Sequence, residues 1–156
     1  MCLPEYHMRH LLQEEIEVII EKEFSFTTEC CVRGYHIFRS FWEAPIGSVL
    51  MAKHEDDPQS LIHDKFAIAL VNDDSTTVGH IPKFMSKLAY FFIKHGGHIK
   101  CEITGVQKYS KDLEQGGLEI PARMTFSNTN ERMTEVMKEK LDPLIKGYKN
   151  INCKTK

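Results

Sequence analysis

Between His63 and Lys83 the chain reads HDKFAIALVNDDSTTVGHIPK, and this stretch restricts the fold more than any other. The apolar run Phe66-Ala67-Ile68-Ala69-Leu70-Val71 is bounded by His63-Asp64-Lys65 before it and Asn72-Asp73-Asp74-Ser75 after it. Six apolar residues ending at an Asn/Asp/Ser break, followed by Thr76-Thr77-Val78-Gly79-His80-Ile81, are the signature of a β-hairpin. Pro82 has no amide donor, so it closes the second strand rather than sitting inside it. Ionisable side chains bracket both ends of an otherwise apolar unit.

The flanking segments fit a mixed but mainly β chain. Leu12, Ile16, Ile19 and Ile20 recur at helical spacing among glutamates, which predicts a helix from about Arg9 to Glu23. From Phe24 the period changes to two, with Phe24, Phe26, Thr28, Cys30 and Val32 on one face. Residues 39–47 read as a loop that exposes aromatics. Ser48 to His54 is a further strand, and HEDDPQSLIHD after it an acidic, turn-rich segment. A helix is expected over Phe84–His95, ended by Gly96-Gly97, then a strand over His98–Val106. A polar loop over Lys108–Gly117 leads to a strand over Leu118–Phe126. Ser127-Asn128-Thr129-Asn130 offers caps for a last helix that Asp142-Pro143 would end. Five or six short strands without βαβ alternation favour an α+β, mainly β fold: a small barrel with helical insertions plus N- and C-terminal helices. The expected organisation is a helical extension over 1–23, a domain over 24–142 and a basic tail over 143–156.

A chain of 156 residues with 42% hydrophobic and 27% charged residues is expected to form one domain with a real core. The net charge of −2 argues against a global attraction to nucleic acid, so such binding would need a local patch. No apolar run approaches the roughly 20 residues of a membrane helix, and the N-terminus has no signal-peptide pattern. With an odd count of five cysteines, this points to an intracellular protein with free thiols and no membrane partner.

Enzyme signatures are missing. The sequence contains no phosphate loop, no dinucleotide fingerprint and no nucleophile elbow. His95, His98 and Cys101 have metal-like spacing, but glycines separate the histidines and strand alternation points His98 and Cys101 apart. The His54–Asp57 turn lacks a calcium-loop pattern. No catalytic residue, cofactor or metal is therefore assigned. Arg39, Phe41 and Trp42 form an aromatic-basic cluster of the kind on which unpaired bases stack, although a sole tryptophan serves equally well as a cap on the core. His80 and Lys83 are placed to reach phosphate oxygens.

Four motifs occur in order: Cys31-Val32-Arg33-Gly34-Tyr35, Trp42-Glu43-Ala44-Pro45-Ile46-Gly47, Asp64-Lys65-Phe66-Ala67-Ile68-Ala69-Leu70 and Val78-Gly79-His80-Ile81-Pro82-Lys83. Together they resemble the HIRAN domain, over roughly Phe26 to Leu141. The resemblance implies an OB-like β-barrel that captures the 3′ hydroxyl end of single-stranded DNA. It implies that Phe41 and Trp42 stack on terminal bases, that Asp64 accepts a hydrogen bond from the terminal hydroxyl, and that His80 and Lys83 hold phosphate. Arg39 stands near the family's basic position, while His63 and Leu118 take positions where aromatics are expected. The function expected is thus a non-enzymatic module binding single-stranded DNA, with RNA as a second ligand class. The alternative is a protein-interaction module that keeps the fold without the end-binding pocket, docking a protein partner instead.

Overall fold

The computed structural model describes residues 22–34, 42–109 and 118–153. Seven strands are present among them: β1 (Phe24–Arg33), β2 (Val49–His54), β3 (Ile68–Val71), β4 (Thr77–His80), β5 (His98–Ile103), β6 (Lys108–Tyr109) and β7 (Leu118–Asn128). The helices are α1 (Pro58–His63), α2 (Lys83–Lys94) and α3 (Glu131–Cys153). The expected N-terminal helix lies outside the described residues except for Lys22 and Glu23, which are not helical. Arg39 and Phe41 lie outside them entirely.

The strands follow the order β1-β4-β3-β2-β5-β7, and β7 pairs again with β1, so the antiparallel sheet closes into a six-stranded barrel with β6 attached to β7. The two seams of β1 are unequal. Against β7 it pairs from Phe24↔Asn128 to Arg33↔Glu119, whereas against β4 it pairs only at Arg33↔His80. Alternation fills the barrel: Ile120, Ala122, Met124 and Phe126 of β7 are buried, as are Val32, Leu50, Ile68, Leu70, Val78, Ile99 and Ile103. Helix α2 packs Met85, Ala89 and Phe92 onto this core, and α3 adds Met137, Leu141 and Ile145, the spacing of an apolar stripe.

Gly79 explains the glycine of the VGHIPK motif. A Cβ at this position would lie 2.3 Å from Val32 Cγ1 and 3.1 Å from the Arg33 carbonyl oxygen. Strand β4 can therefore reach the narrow β1 seam only without a side chain here. Gly79→Ala is expected to cost about 1–3 kcal/mol by overpacking. The reading is a lower urea midpoint, and an unchanged midpoint would show that the seam has slack.

Three local expectations are corrected. The acidic turn contains α1, started by Asp57, whose Oδ1 accepts the Gln59 N–H, with Pro58 in the first turn; Asp before Pro is a helix start. The polar loop after β5 contributes β6, which pairs with the start of β7. The last helix does not stop at Asp142-Pro143 but runs on to Cys153 with Pro143 inside it. Pro143 deprives the Glu139 carbonyl of its donor, but both residues are exposed, so water can serve it, and buried Leu141 and Ile145 hold the helix to the core on either side. Among the expected caps, Asn130 Oδ1 accepts the Met133 N–H at 3.1 Å.

Candidate nucleic-acid interface

The charged ends of the β3–β4 hairpin meet at one end of the barrel. At the other end, Asn72 Oδ1 accepts the N–H groups of Asp74 and Thr76, each at 3.0 Å, which sets the turn. The returning strand carries His80 back opposite Ala69, and the Ile81 N–H bonds to the Ile68 carbonyl. Pro82 then starts α2 in place of a side-chain cap.

Asp64 caps the C-terminus of α1 and is already well anchored. Its backbone N–H donates to the Ser60 carbonyl. Oδ1 accepts the Phe66 N–H at 3.0 Å, a local Asx-type bond, and Oδ2 accepts the Ser86 hydroxyl at 2.6 Å. Lys83 crosses the same gap in the opposite sense, its Nζ donating to the His63 carbonyl at 3.2 Å. The end of α1 and the start of α2 are thus tied by two side-chain bonds.

His80 faces a residue that the sequence did not single out. Its Nε2 lies 2.5 Å from Oε2 of Glu55, which is 4% exposed. Glu55 Oε1 accepts the N–H groups of Asp56 and Asp57, both at 3.0 Å, and the Glu55 N–H donates to the Ala67 carbonyl. Burial pushes this carboxyl upward, yet the bond to His80 and the two backbone donors outweigh it and hold the group below the ordinary glutamate value. The signal available in the sequence was only an acidic turn.

A second buried cluster adjoins His80 through Arg33. Glu119, at 1% exposure, accepts the Tyr148 hydroxyl at 2.8 Å and the Cys31 thiol at 3.3 Å. The Arg33 guanidinium lies 3.6 Å from Glu119 and over the Tyr148 ring. Tyr148 also stacks on Phe84, the neighbour of Lys83, with ring centroids 5.4 Å apart. Since Ile120 and Glu119 are adjacent on β7 and both buried, both faces of the strand are covered here.

Of the residues expected in a site, the structure thus brings His63, Asp64 and Lys83 into one group, with His80 held beside it by Glu55. Leu118 enters by its backbone, opposite Tyr109 and next to Glu119. Trp42 does not join them. It lies with Ser48, Val49, Leu50 and Asn72–Asp74 at the turn end of the hairpin and packs against the core. His95, His98 and Cys101 also stay apart: His95 Nδ1 bonds to the Phe91 carbonyl, His98 is exposed and Cys101 is buried. Burial and the nearby Cys31 push the Cys101 thiol up to about 12. None of the described helices is long and apolar enough to cross a membrane.

No protein-family model matches the sequence, and no curated protein is similar enough to it in sequence to match. Solved structures do match. The crystal structure of the HIRAN domain of human HLTF superposes with a TM-score of 0.55 at 17% identity, covering 78% of this chain and 91% of that one. The NMR structure of the HLTF HIRAN domain in its DNA-bound conformation gives a TM-score of 0.50 at 20% identity, covering 83% and 95%. The fold is therefore HIRAN-like: an OB-like, mainly β barrel with helices.

Proposed function

We propose that this chain is a non-enzymatic module that binds single-stranded DNA and recognises its 3′ hydroxyl end. The observation that carries the reading is the convergence of Asp64, His80 and Lys83 at one end of the hairpin, on a fold that resembles a domain solved in a DNA-bound conformation. A carboxylate has about four acceptor sites, so the two bonds on Asp64 leave room for a sugar hydroxyl while its charge repels a terminal phosphate. Lys83 uses one of three donors on the His63 carbonyl, leaving others for a phosphate oxygen. Trp42 packs at the far end of the hairpin, so stacking on terminal bases is assigned to Phe41 on the family resemblance alone, while His63 lies beside Asp64 and Lys83.

Fluorescence anisotropy with paired oligonucleotides ending in a 3′ hydroxyl or a 3′ phosphate tests this. The hydroxyl end is expected to bind at least about tenfold more tightly, a difference of about 1.4 kcal/mol. Asp64→Asn should erase that preference, and Lys83→Ala should lower the slope of log K against log salt by about 1. Equal binding of both ends would reject end recognition.

A groove supports the second reading, a protein-interaction module. Leu88, Phe91 and Phe92 of α2 and Met133, Val136 and Met137 of α3 line about 320 Å³ of apolar space, with Phe91 40% exposed. That reading predicts no binding to either oligonucleotide.

A further inference from the structure

We infer that the outer side of α2, together with Lys65 and Phe66, is a second contact surface for the same single strand, taking phosphates on lysines and a base on an aromatic ring. The inference rests on the proposed function and extends it from the strand end to the nucleotides before it. The surface is continuous with the end pocket. Phe66 donates its N–H to Asp64 Oδ1, so its ring stands next to the group proposed to hold the terminal hydroxyl. That ring meets Tyr90 and Phe91 of α2 at centroid distances of 5.2 and 5.7 Å, and those two meet each other at 5.2 Å. Three ammonium groups lie over these rings. Lys65 and Lys87 are 5.1 and 5.7 Å from the Phe66 centroid, and Lys94 is 5.8 Å from that of Tyr90, all within cation–π range. Phe91 is 40% exposed and lies under none of the three, so its ring is available to a base.

Charge selects the ligand. Helix α2 reads KFMSKLAYFFIK, with three lysines and no acid. Lys83, Lys87, Tyr90 and Lys94 fall on one side of it, away from Met85, Ala89 and Phe92 on the core side. They span about 16 Å at 1.5 Å per residue. None of the ion pairs among the described residues uses Lys65, Lys87 or Lys94. On a chain of net charge −2, these lysines form the local patch that nucleic-acid binding requires. His54 braces it: the ring sits edge-on to Tyr90 at 4.8 Å, and Nε2 donates to the Lys65 carbonyl at 3.0 Å. A duplex keeps its bases stacked inside and a polyacidic peptide has none. Only a single strand uses the lysines and the Phe91 ring together.

Strand length separates the two surfaces. With a 3′ hydroxyl on each, a strand of about three nucleotides reaches only the end pocket, and one of about ten also covers α2. In competition anisotropy on the whole chain, the longer strand is expected to bind at least about tenfold more tightly, through the added phosphates and a stacked base. Lys87→Ala combined with Lys94→Ala should remove most of that gain and leave the short strand unchanged. The salt slope for the longer strand should fall by about 1.4, two phosphate contacts at about 0.7 each. Phe91→Leu, which keeps an apolar side chain but loses the ring, should weaken the longer strand about fivefold or more. A 5-iodouracil placed about five nucleotides from the 3′ end should photocrosslink within residues 88–94. A crosslink elsewhere, equal binding of both lengths, or an equal loss for both in the double variant overturns the inference. So does competition by duplex DNA or poly-glutamate as strong as that of the single strand. If the short strand shows no hydroxyl preference while the length dependence stands, end recognition fails and the α2 surface remains. If neither length binds, both fail.

Discussion

Glu119→Ala is expected to lower the unfolding free energy by about 3–5 kcal/mol, the range for removing one partner of a buried ion pair. Arg33, with its side chain 15% exposed, would lose its carboxylate. The Tyr148 hydroxyl and Cys31 thiol, which also contact each other at 3.4 Å, would both lose their bond to Glu119. Residues of β1, β6 and α3 meet at this β7 carboxylate, so its loss should loosen the end of α3 from β1 and β7. Equilibrium urea unfolding measures the effect, with Glu119→Gln as the milder comparison because an amide oxygen still accepts from Tyr148. If Glu119→Ala unfolds within about 1 kcal/mol of the unmodified chain, water serves the cluster and the lock assigned to it does not exist. The pH dependence has a definite sign. Burial, then the Cys31 and Glu119 bonds, push the Tyr148 phenol above its ordinary value. A group whose pKa is raised on folding stabilises fully below its unfolded value, here about 10. This contribution is therefore intact at neutral pH and is lost only as strong alkali approaches the raised folded value.

Phe126→Ala is expected to cost about 3–5 kcal/mol, the range for deleting a buried aromatic side chain. Phe126 is fully buried and stacks on Phe26 with centroids 4.9 Å apart. It also meets Phe92 of α2 edge-on at 5.8 Å. It pairs across the longest seam of the barrel, opposite Phe26, and across the next, opposite Ile99. The cavity would open where two sheet seams and a helix share one side chain, and no single neighbour can move to fill it. Phe126→Leu should cost less, since most of the volume remains. A midpoint for Phe126→Ala equal to that of Phe126→Leu would mean that the barrel collapses around the gap.

The hairpin shows what was legible. Its turn and the charged groups at its open end follow from an apolar run, an Asx turn and a proline, whereas its register shifts between Leu70 and Val71. Helix α1 was not legible by periodicity, because six residues with no buried side chain carry no apolar stripe; only Asp57-Pro58 announced it. Helix α3 outran its proline because tertiary packing of Leu141 and Ile145 overrides one missing hydrogen bond. Trp42 was chemically suitable for stacking, but tertiary packing sets it beside Asn72–Asp74 rather than beside Asp64.

The sequence by itself determined the elements whose signals are local: alternating strands, polar turns and caps. It also placed Asp64, His80 and Lys83 at the two ends of one hairpin, since a hairpin returns on itself. Only the tertiary structure decided what each of them touches. Glu55 is 25 residues from His80, Ser86 is 22 from Asp64 and Glu119 is 88 from Cys31. Such contacts depend on barrel closure, where the register of one strand fixes the neighbours of another. No local pattern encodes that register, which is why a buried glutamate in an acidic turn could be found only after the sheet had closed.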